Sequence, residues 1–203
     1  MQINYKEYPE FMFAMIAAYL PSREGEDLRR IAGKVVFRSH DKDGNTYKNG
    51  LLHSYNDECA ISIVNPSYIY KIWYDNGKIH REGDNPALTK GEFYKEWYKN
   101  GLLHREGDNP AICGSNNHCE WYKNGLVHRE GDNPAIIYCN SQEWYKNGVL
   151  HREGDLPAVI YANRRQEWYK DGNRHRDDGQ PAIIEENYRE WWVNGRFVRI
   201  LWS

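Results

Sequence analysis

Residues 120–136 read Glu-Trp-Tyr-Lys-Asn-Gly-Leu-Val-His-Arg-Glu-Gly-Asp-Asn-Pro-Ala-Ile, and close copies of this unit recur along most of the chain. The tryptophan of each copy marks the period, in steps of 24, 24, 23, 24 and 23 residues, at Trp73, Trp97, Trp121, Trp144, Trp168 and Trp191. A fixed period of this length indicates stacked repeats in which each unit contacts its neighbours. Because such arrays build long surfaces, they favour a binding function over a single enclosed active site.

Each unit contains two predicted strands and a tight turn. Residues 134–138, Pro-Ala-Ile-Ile-Tyr, are rich in β-forming side chains and begin with a proline, which a strand tolerates at its start. The second strand, residues 143–145, leads into Asn147-Gly148, a strong hairpin signal, and residues 149–152 can pair with it briefly. One hairpin of this size is unstable alone, so neighbouring units must supply the stability. We therefore predict a mainly β protein, an elongated array of stacked antiparallel β-hairpins.

Residues 1–33 lack the repeat and predict a small helical cap. Pro21 ends an apolar stripe with helical spacing, which consists of Phe11, Met12, Met15, Ile16, Tyr19 and Leu20. The chain is thus divided into a cap, residues 1–33, and a repeat array, residues 34–203, in which residues 35–37 read as a first strand. The copies that begin at Thr46 and Trp191 depart from the consensus, as capping units at the ends of an array do.

The Trp-Tyr pair of each unit predicts two rows of aromatic side chains, because neighbouring residues on a strand point to opposite faces. We predict that the six tryptophans form the core, together with the Leu or Val before each His and the Ile after each Pro-Ala. We predict that the tyrosines bind a partner, since tyrosine offers a large contact area with little entropy to lose. They are Tyr74, Tyr98, Tyr122, Tyr145 and Tyr169. The sequence equally allows these tyrosines to cover the second face of a thin sheet.

The charged residues after each His predict a patterned face. Arg105, Arg129 and Arg152 are each followed by Glu, Gly and Asp. Such a ladder either stays solvated, where an exposed ion pair contributes about 0–1 kcal/mol, or fixes the register of a bound protein. We include these three arginines in the predicted partner-binding surface.

A row of histidines raises the question of catalysis or metal binding. Its members are His53, His80, His104, His128, His151 and His175. Catalysis needs one set of groups in an environment of its own, and near-identical copies supply none. Equivalent histidines are expected about 10 Å apart, too far to share a zinc ion whose Zn–N bonds are about 2.0–2.1 Å. We predict a structural role, with no catalytic residue, no metal and no cofactor, and an enzyme or metal protein built on this row is the hypothesis from another class.

Composition excludes several other partners. The formal net charge is −2, with 27 basic against 29 acidic side chains, and the signs alternate within each unit, so the chain lacks a basic stripe for nucleic acid. No stretch reaches the roughly 18–20 apolar residues that span a bilayer, so we predict no membrane insertion. The four cysteines do not follow the repeat and are predicted to be reduced thiols.

The Trp-Tyr-Lys-Asn-Gly-x-x-His-Arg unit resembles a MORN repeat over roughly residues 46–199. The ending His-Arg-Glu-Gly-Asp-x-Pro-Ala is similar to a divergent form of that repeat found in proteins of large DNA viruses. This resemblance implies a stacked hairpin array and a viral protein in the cytoplasm of the infected cell or in the virion. MORN arrays serve scaffolds, tethers and enzyme appendages alike, so the resemblance leaves the activity open. The leading hypothesis is a non-catalytic scaffold with a protein partner, and an exposed edge strand would also permit homo-oligomers.

The N-terminal segment loosely resembles an F-box. The resemblance rests on Tyr8-Pro9-Glu10, Ile16, Tyr19-Leu20-Pro21, Asp27-Leu28 and Val35-Val36. It implies docking to a ubiquitin-ligase adaptor, with the repeats holding a target as a substrate receptor would. A plain helical cap is the other interpretation, since apolar helices commonly seal the ends of repeat arrays.

Overall fold

The computed structural model describes residues 47–48, 51–64 and 67–203. The predicted helical cap, the strand expected at 35–37 and most of the degenerate first copy lie outside the described residues. Strands and turns make up the described residues, and no helix among them is long and apolar enough to cross a lipid bilayer. The prediction of a mainly β chain built from stacked antiparallel hairpins is confirmed for this part of the protein.

In the part of the chain that the structure describes, the main sheet contains thirteen antiparallel strands that lie side by side in chain order. They are Ile61–Val64, Ile69–Ile72, Leu88–Lys90, Tyr94–Glu96, Ile112–Cys113, Cys119–Glu120, Ile136–Ile137, Ser141–Glu143, Val159–Tyr161, Gln166–Glu167, Ile183–Glu185, Tyr188–Val193 and Arg196–Trp202. Each full unit contributes two of these strands. The sheet therefore grows by two strands, or about 10 Å, for every unit of sequence.

A row of small hairpins accompanies the main sheet. The described residues contain six two-stranded hairpins: Tyr47–Lys48 with Leu51–Leu52, Tyr74–Asp75 with Lys78–Ile79, Tyr98–Lys99 with Leu102–Leu103, Tyr122–Lys123 with Leu126–Val127, Tyr145–Lys146 with Val149–Leu150, and Tyr169–Lys170 with Asn173–Arg174. The turn at Asn124 and Gly125 has φ values of 52° and 82°, as the tight hairpin turn signalled by Asn-Gly requires. The Gly125 amide donates to the carbonyl of Leu103 in the preceding hairpin at 2.8 Å, which joins successive hairpins into a row.

The tryptophans of the five inner units divide the strand that the sequence predicted through Glu-Trp-Tyr, whereas Trp191 lies within the continuous strand Tyr188–Val193. Trp121 lies between strand Cys119–Glu120 of the main sheet and strand Tyr122–Lys123 of a hairpin. Its amide donates to the Ala135 carbonyl at 2.8 Å, on the main-sheet side. Its own carbonyl accepts from the His128 amide at 3.0 Å, on the hairpin side. The chain changes hydrogen-bonding partners within one residue and leaves the main sheet there.

The core lies between the main sheet and the hairpin row. One buried cluster combines sheet residues such as Ile61, Ile72 and Leu88 with the hairpin residues Tyr74 and Ile79. The sheet face that looks into this core carries a regular row across all thirteen strands. From Leu88 to the C-terminal edge this row alternates an aliphatic residue with a glutamate. The interior is therefore partly polar, because most units place a glutamate on the inward face of the sheet.

Candidate interaction surface

The arginine after each histidine clamps two units together. The Arg129 guanidinium lies 3.8 Å from the centre of the Trp121 ring in its own unit. Its Nε and Nη2 donate to the two carboxylate oxygens of Asp108 in the preceding unit at 2.6 and 2.8 Å, and Nη1 donates to the Pro134 carbonyl. These hydrogen bonds hold the pKa of the Asp108 carboxyl below its ordinary value. One arginine thus combines a cation–π contact, a bidentate ion pair and a backbone bond.

This clamp repeats along the array. The clamping arginines are Arg81, Arg105, Arg129, Arg152 and Arg176, and their carboxylate partners are Asp57, Asp84, Asp108, Asp132 and Asp155. The three arginines predicted to bind a partner belong to this set. Their side chains are largely buried and already hold a carboxylate, so a partner would have to displace an internal contact to reach them.

The tryptophan row lies beneath the arginines. Trp73, Trp97, Trp121, Trp144 and Trp168 are buried, and Trp191 in the last unit is half-buried. The sequence predicted these residues as core, and the structure places five of them there. The indole Nε1 atoms of Trp73 and Trp191 donate to the carbonyls of Asp57 and Gly179.

The tyrosine row faces the interior as well, where four of its hydroxyls donate to glutamates of the main sheet. The Tyr122 hydroxyl donates to Glu120 at 2.8 Å, and His118 Nε2 lies 2.6 Å from the same carboxylate. Burial alone would raise the pKa of Glu120, but the hydrogen bonds from His118 and Tyr122 outweigh it and hold that pKa below its ordinary value. Burial and the Glu167 carboxylate raise the pKa of Tyr169 to about 12.

The same pairing occurs in four consecutive units. The pairs are Tyr98 with Glu96, Tyr122 with Glu120, Tyr145 with Glu143, and Tyr169 with Glu167. Tyr74 and Tyr98 are buried, and the other three tyrosines of the row are half-buried. The tyrosines predicted to contact a partner are therefore turned toward the core, because Trp and Tyr no longer share one strand and both can face inward.

The histidine row stitches neighbouring units together. His128 Nδ1 accepts a hydrogen bond from the Asn147 amide in the next unit at 3.2 Å, and its Nε2 lies 3.2 Å from Glu130. Accepting at Nδ1 requires that this nitrogen carry no proton, which fixes the tautomer with the proton on Nε2. The equivalent bonds are made by His53, His80, His104, His151 and His175. Within the described residues no group of three or more His, Cys, Asp or Glu side chains is placed to hold a metal ion.

The exposed side of the hairpin row carries aliphatic residues and Lys–Glu ion pairs. Leu102, Leu126 and Val149 are 51%, 50% and 43% exposed, and each is the residue directly after an Asn-Gly turn. A Cβ added to Gly125 would lie 3.3 Å from Cδ2 of Leu102, so this leucine lies against the turn of the next unit. Ion pairs flank the three residues at Lys99–Glu106, Lys123–Glu130 and Lys146–Glu153. We call these nine residues the hairpin face.

Grooves separate successive units beside the hairpin face. Five of them have volumes between 260 and 500 Å³ and nearly the same lining. In the groove next to Trp121 the walls include Glu106 and Asn109 from one unit and Lys123 and Glu130 from the next. The hairpin face therefore presents an aliphatic residue, an ion pair and a groove, repeated at each step of about 10 Å.

Sequence reasoning missed the hairpin face. It placed the Leu or Val before each His in the core, and Leu103, Val127 and Leu150 are indeed half-buried. The preceding residue is also aliphatic in these units, and strand alternation turns it outward. That exposed aliphatic residue was the available signal. In comparisons with protein families and with curated proteins, the sequence finds no match.

Proposed function

We propose that this protein is a non-catalytic repeat scaffold that binds a protein partner along the hairpin face. The observation that carries the proposal is that some rows of side chains make contacts inside the array while others stay exposed. The Trp, Tyr, Arg and His rows are engaged in contacts within and between units, whereas an aliphatic residue and an ion pair stay exposed in three consecutive units. Exposed apolar residues that form a patch with a charged rim are typical of protein interfaces.

The spacing of the hairpin face suits a helical partner. Equivalent residues recur about every 10 Å, and two turns of an α-helix advance about 10.8 Å. A partner helix with apolar residues at seven-residue intervals would therefore meet Leu102, Leu126 and Val149 in register. An extended strand repeats its side chains every 6.4–6.8 Å or so and would fall out of step.

The proposal is tested by affinity capture from cells that express the protein. The variant L102E/L126E/V149E adds three carboxylates to the hairpin face. The control T89E/Q142E/Q166E adds three carboxylates to the main sheet. The strand register places these three residues on the sheet face that points away from the core. We expect the first variant to lose the partners that the wild type and the control retain. Equal capture by all three forms would exclude the hairpin face as the binding surface.

The F-box-like segment supports a second proposal, a substrate receptor that recruits a target to a ubiquitin ligase. A form lacking residues 1–33 separates the two functions. A receptor would lose its ligase adaptor and keep its target, whereas a scaffold would keep all its partners. Capture of an adaptor by the full chain alone would favour the receptor.

The repeat's resemblance to viral proteins supports a proposal about location, in the infected cytoplasm or in the virion. Mass spectrometry of purified particles distinguishes these two places. A stoichiometric copy number in particles would favour a structural component, and recovery only from the infected cytoplasm would favour an intracellular effector.

A further inference from the structure

The last strand of the main sheet differs from every inner strand. All seven residues of Arg196–Trp202 are exposed, and Phe197, Leu201 and Trp202 are 52%, 57% and 68% exposed. This strand pairs with Tyr188–Val193 on one side, and among the described residues no strand lies on its other side. We call Arg196–Trp202 the edge strand.

The two faces of the edge strand have opposite character. The register with Tyr188–Val193, including a bulge beside Trp192, places Phe197, Ile200 and Trp202 on the face that continues the core. The same register places Arg196, Arg199 and Leu201 on the outer face, where Arg189 is the neighbour of Leu201. One face is therefore apolar and the other cationic.

Arg199 is the arginine of the last unit, and it lacks the carboxylate that its equivalents hold. It stacks on Trp191 with its guanidinium 4.0 Å from the ring centre, as the other arginines stack on their tryptophans. The aspartate that would clamp it is replaced by Gly179, which occupies the position that Asp155 has one unit earlier. Among the described residues Arg199 has no ion pair.

We propose that the edge strand accepts an extended acidic segment of a partner protein as a further strand of the main sheet. The segment alternates acidic and apolar residues, with an acidic side chain beside Arg199 and apolar side chains beside Phe197 and Ile200. Main-chain hydrogen bonds supply affinity in such strand addition, and alternate side chains supply specificity. The proposal extends the binding function proposed above to a second surface, separate from the hairpin face.

Charge decides against a second copy as the occupant. An antiparallel pair of edge strands centred on Arg199 would place Arg199 opposite its own copy, and like charges directly opposite are destabilising. An acidic strand replaces this repulsion by the type of contact that Arg176 makes with Asp155.

The ladder identifies which amides are free to bind the segment. The Ser203 amide donates to the Asn187 carbonyl at 3.0 Å. Because antiparallel pairs alternate between bonded and non-bonded positions, the amides of Ile200 and Trp202 point away from Tyr188–Val193. The substitution Ile200→Pro therefore removes an outward donor and leaves the inner ladder intact.

The test uses the full chain and two peptides of about seven residues, a typical strand length, that alternate Glu with Val or Lys with Val. Binding is followed by fluorescence anisotropy of the labelled peptide. We expect the Glu peptide to bind at least about tenfold more tightly than the Lys peptide, R199E to reverse this preference, and I200P to weaken the Glu peptide by about tenfold. The circular dichroism spectrum verifies that both variants fold.

Three outcomes would overturn the proposal: equal binding of the two peptides, no effect of R199E, or a dimer in sedimentation analysis that the Glu peptide fails to dissociate. The variant K71E reverses an exposed charge in the inner strand Ile69–Ile72, serves as the matched control and should bind the Glu peptide as the wild type does. If L102E/L126E/V149E loses partners but the wild type does not bind the Glu peptide, the proposed scaffold function stands and the edge site is excluded.

Discussion

The units of Trp73 and Trp168, near opposite ends of the array, fill the same space between sheet and hairpins with different chemistry. Around Ile72 and Ile79 the interior is aliphatic and aromatic, and nearly all of it is buried. Around Glu167 it consists of an ion-pair network in which Arg165 and Arg174 approach the carboxylate at 2.7 and 3.1 Å. The hairpin residue that faces inward changes accordingly from Ile79 to Arg174 along the chain.

This difference shows which parts of the repeat define the fold. The arginine clamp, the histidine bond and the glycine bond to the preceding hairpin occur in both regions with the same geometry. The interior can therefore be apolar or polar as long as these connections persist and each buried charge has a partner. The two regions should respond differently to substitution.

The largest effect is expected from truncation of the apolar interior. Ile72→Ala removes buried methyl groups from the N-terminal cluster and should lower the free energy of unfolding by about 4 kcal/mol. Ile69→Ala, in the same strand with an exposed side chain, should cost less than about 0.5 kcal/mol. Urea titrations of both variants measure the difference, and equal costs would show that the two sheet faces do not differ as described.

Removal of Glu167 is the corresponding test in the polar interior. Glu167→Ala leaves Arg165, Arg174 and the Tyr169 hydroxyl without their shared acceptor, which should cost about 3 kcal/mol. The exposed Glu186→Ala is the control and should lie within about 0.5 kcal/mol of the wild type. A neutral outcome for Glu167→Ala would mean that the network contributes nothing beyond filling space.

The clamp itself can be compared between an inner unit and the last one. Arg129→Lys loses the bidentate pair with Asp108 and part of the stacking on Trp121, and should cost about 1.5 kcal/mol. Arg199→Lys alters stacking alone and should cost about 0.5 kcal/mol or less, since no aspartate in the described part of the chain pairs with Arg199. The melting temperatures of the two variants should differ in the same order.

Acid should weaken the clamp in both regions. The pKa of Asp108 is lowered in the folded protein, so its ion pair stabilises the fold above the unfolded-state pKa of about 3.9 and is lost as pH falls through the lower folded-state pKa. Asp108→Asn should therefore be less stable than the wild type at pH 7. The gap should close as the pH falls below 3.9 or so, and a gap that stays constant with pH would assign the effect to packing.

Much of the architecture could be predicted from the period and the turn residues. The Asn-Gly pairs predicted tight hairpins, and the stacking of short units predicted a long antiparallel sheet. The division of the strand at the five tryptophans from Trp73 to Trp168 could not be predicted, because it depends on a change of hydrogen-bonding partner between layers. A single unit gives no sign of that change.

The candidate site was harder to predict because its internal contacts join residues of different units. Arg129 meets an aspartate 21 residues earlier, and His128 meets an amide 19 residues later. A unit considered alone shows only charged and aromatic residues available for a partner. Leu126 and Val127 also look alike in sequence, and the side of the hairpin that each one occupies emerges only from the pairing with Tyr122 and Lys123.

The bond from each turn glycine to the hairpin before it has a consequence for how such a protein can change length. The Gly148 amide donates to the Val127 carbonyl, and the Gly172 amide donates to the Leu150 carbonyl. Each of these turns is therefore bonded to the hairpin directly before it. Duplication or loss of a whole unit in the gene would reproduce the same local geometry at the junction. The array would then become longer or shorter by about 10 Å per unit, and the repeated groups on its surface would keep their spacing.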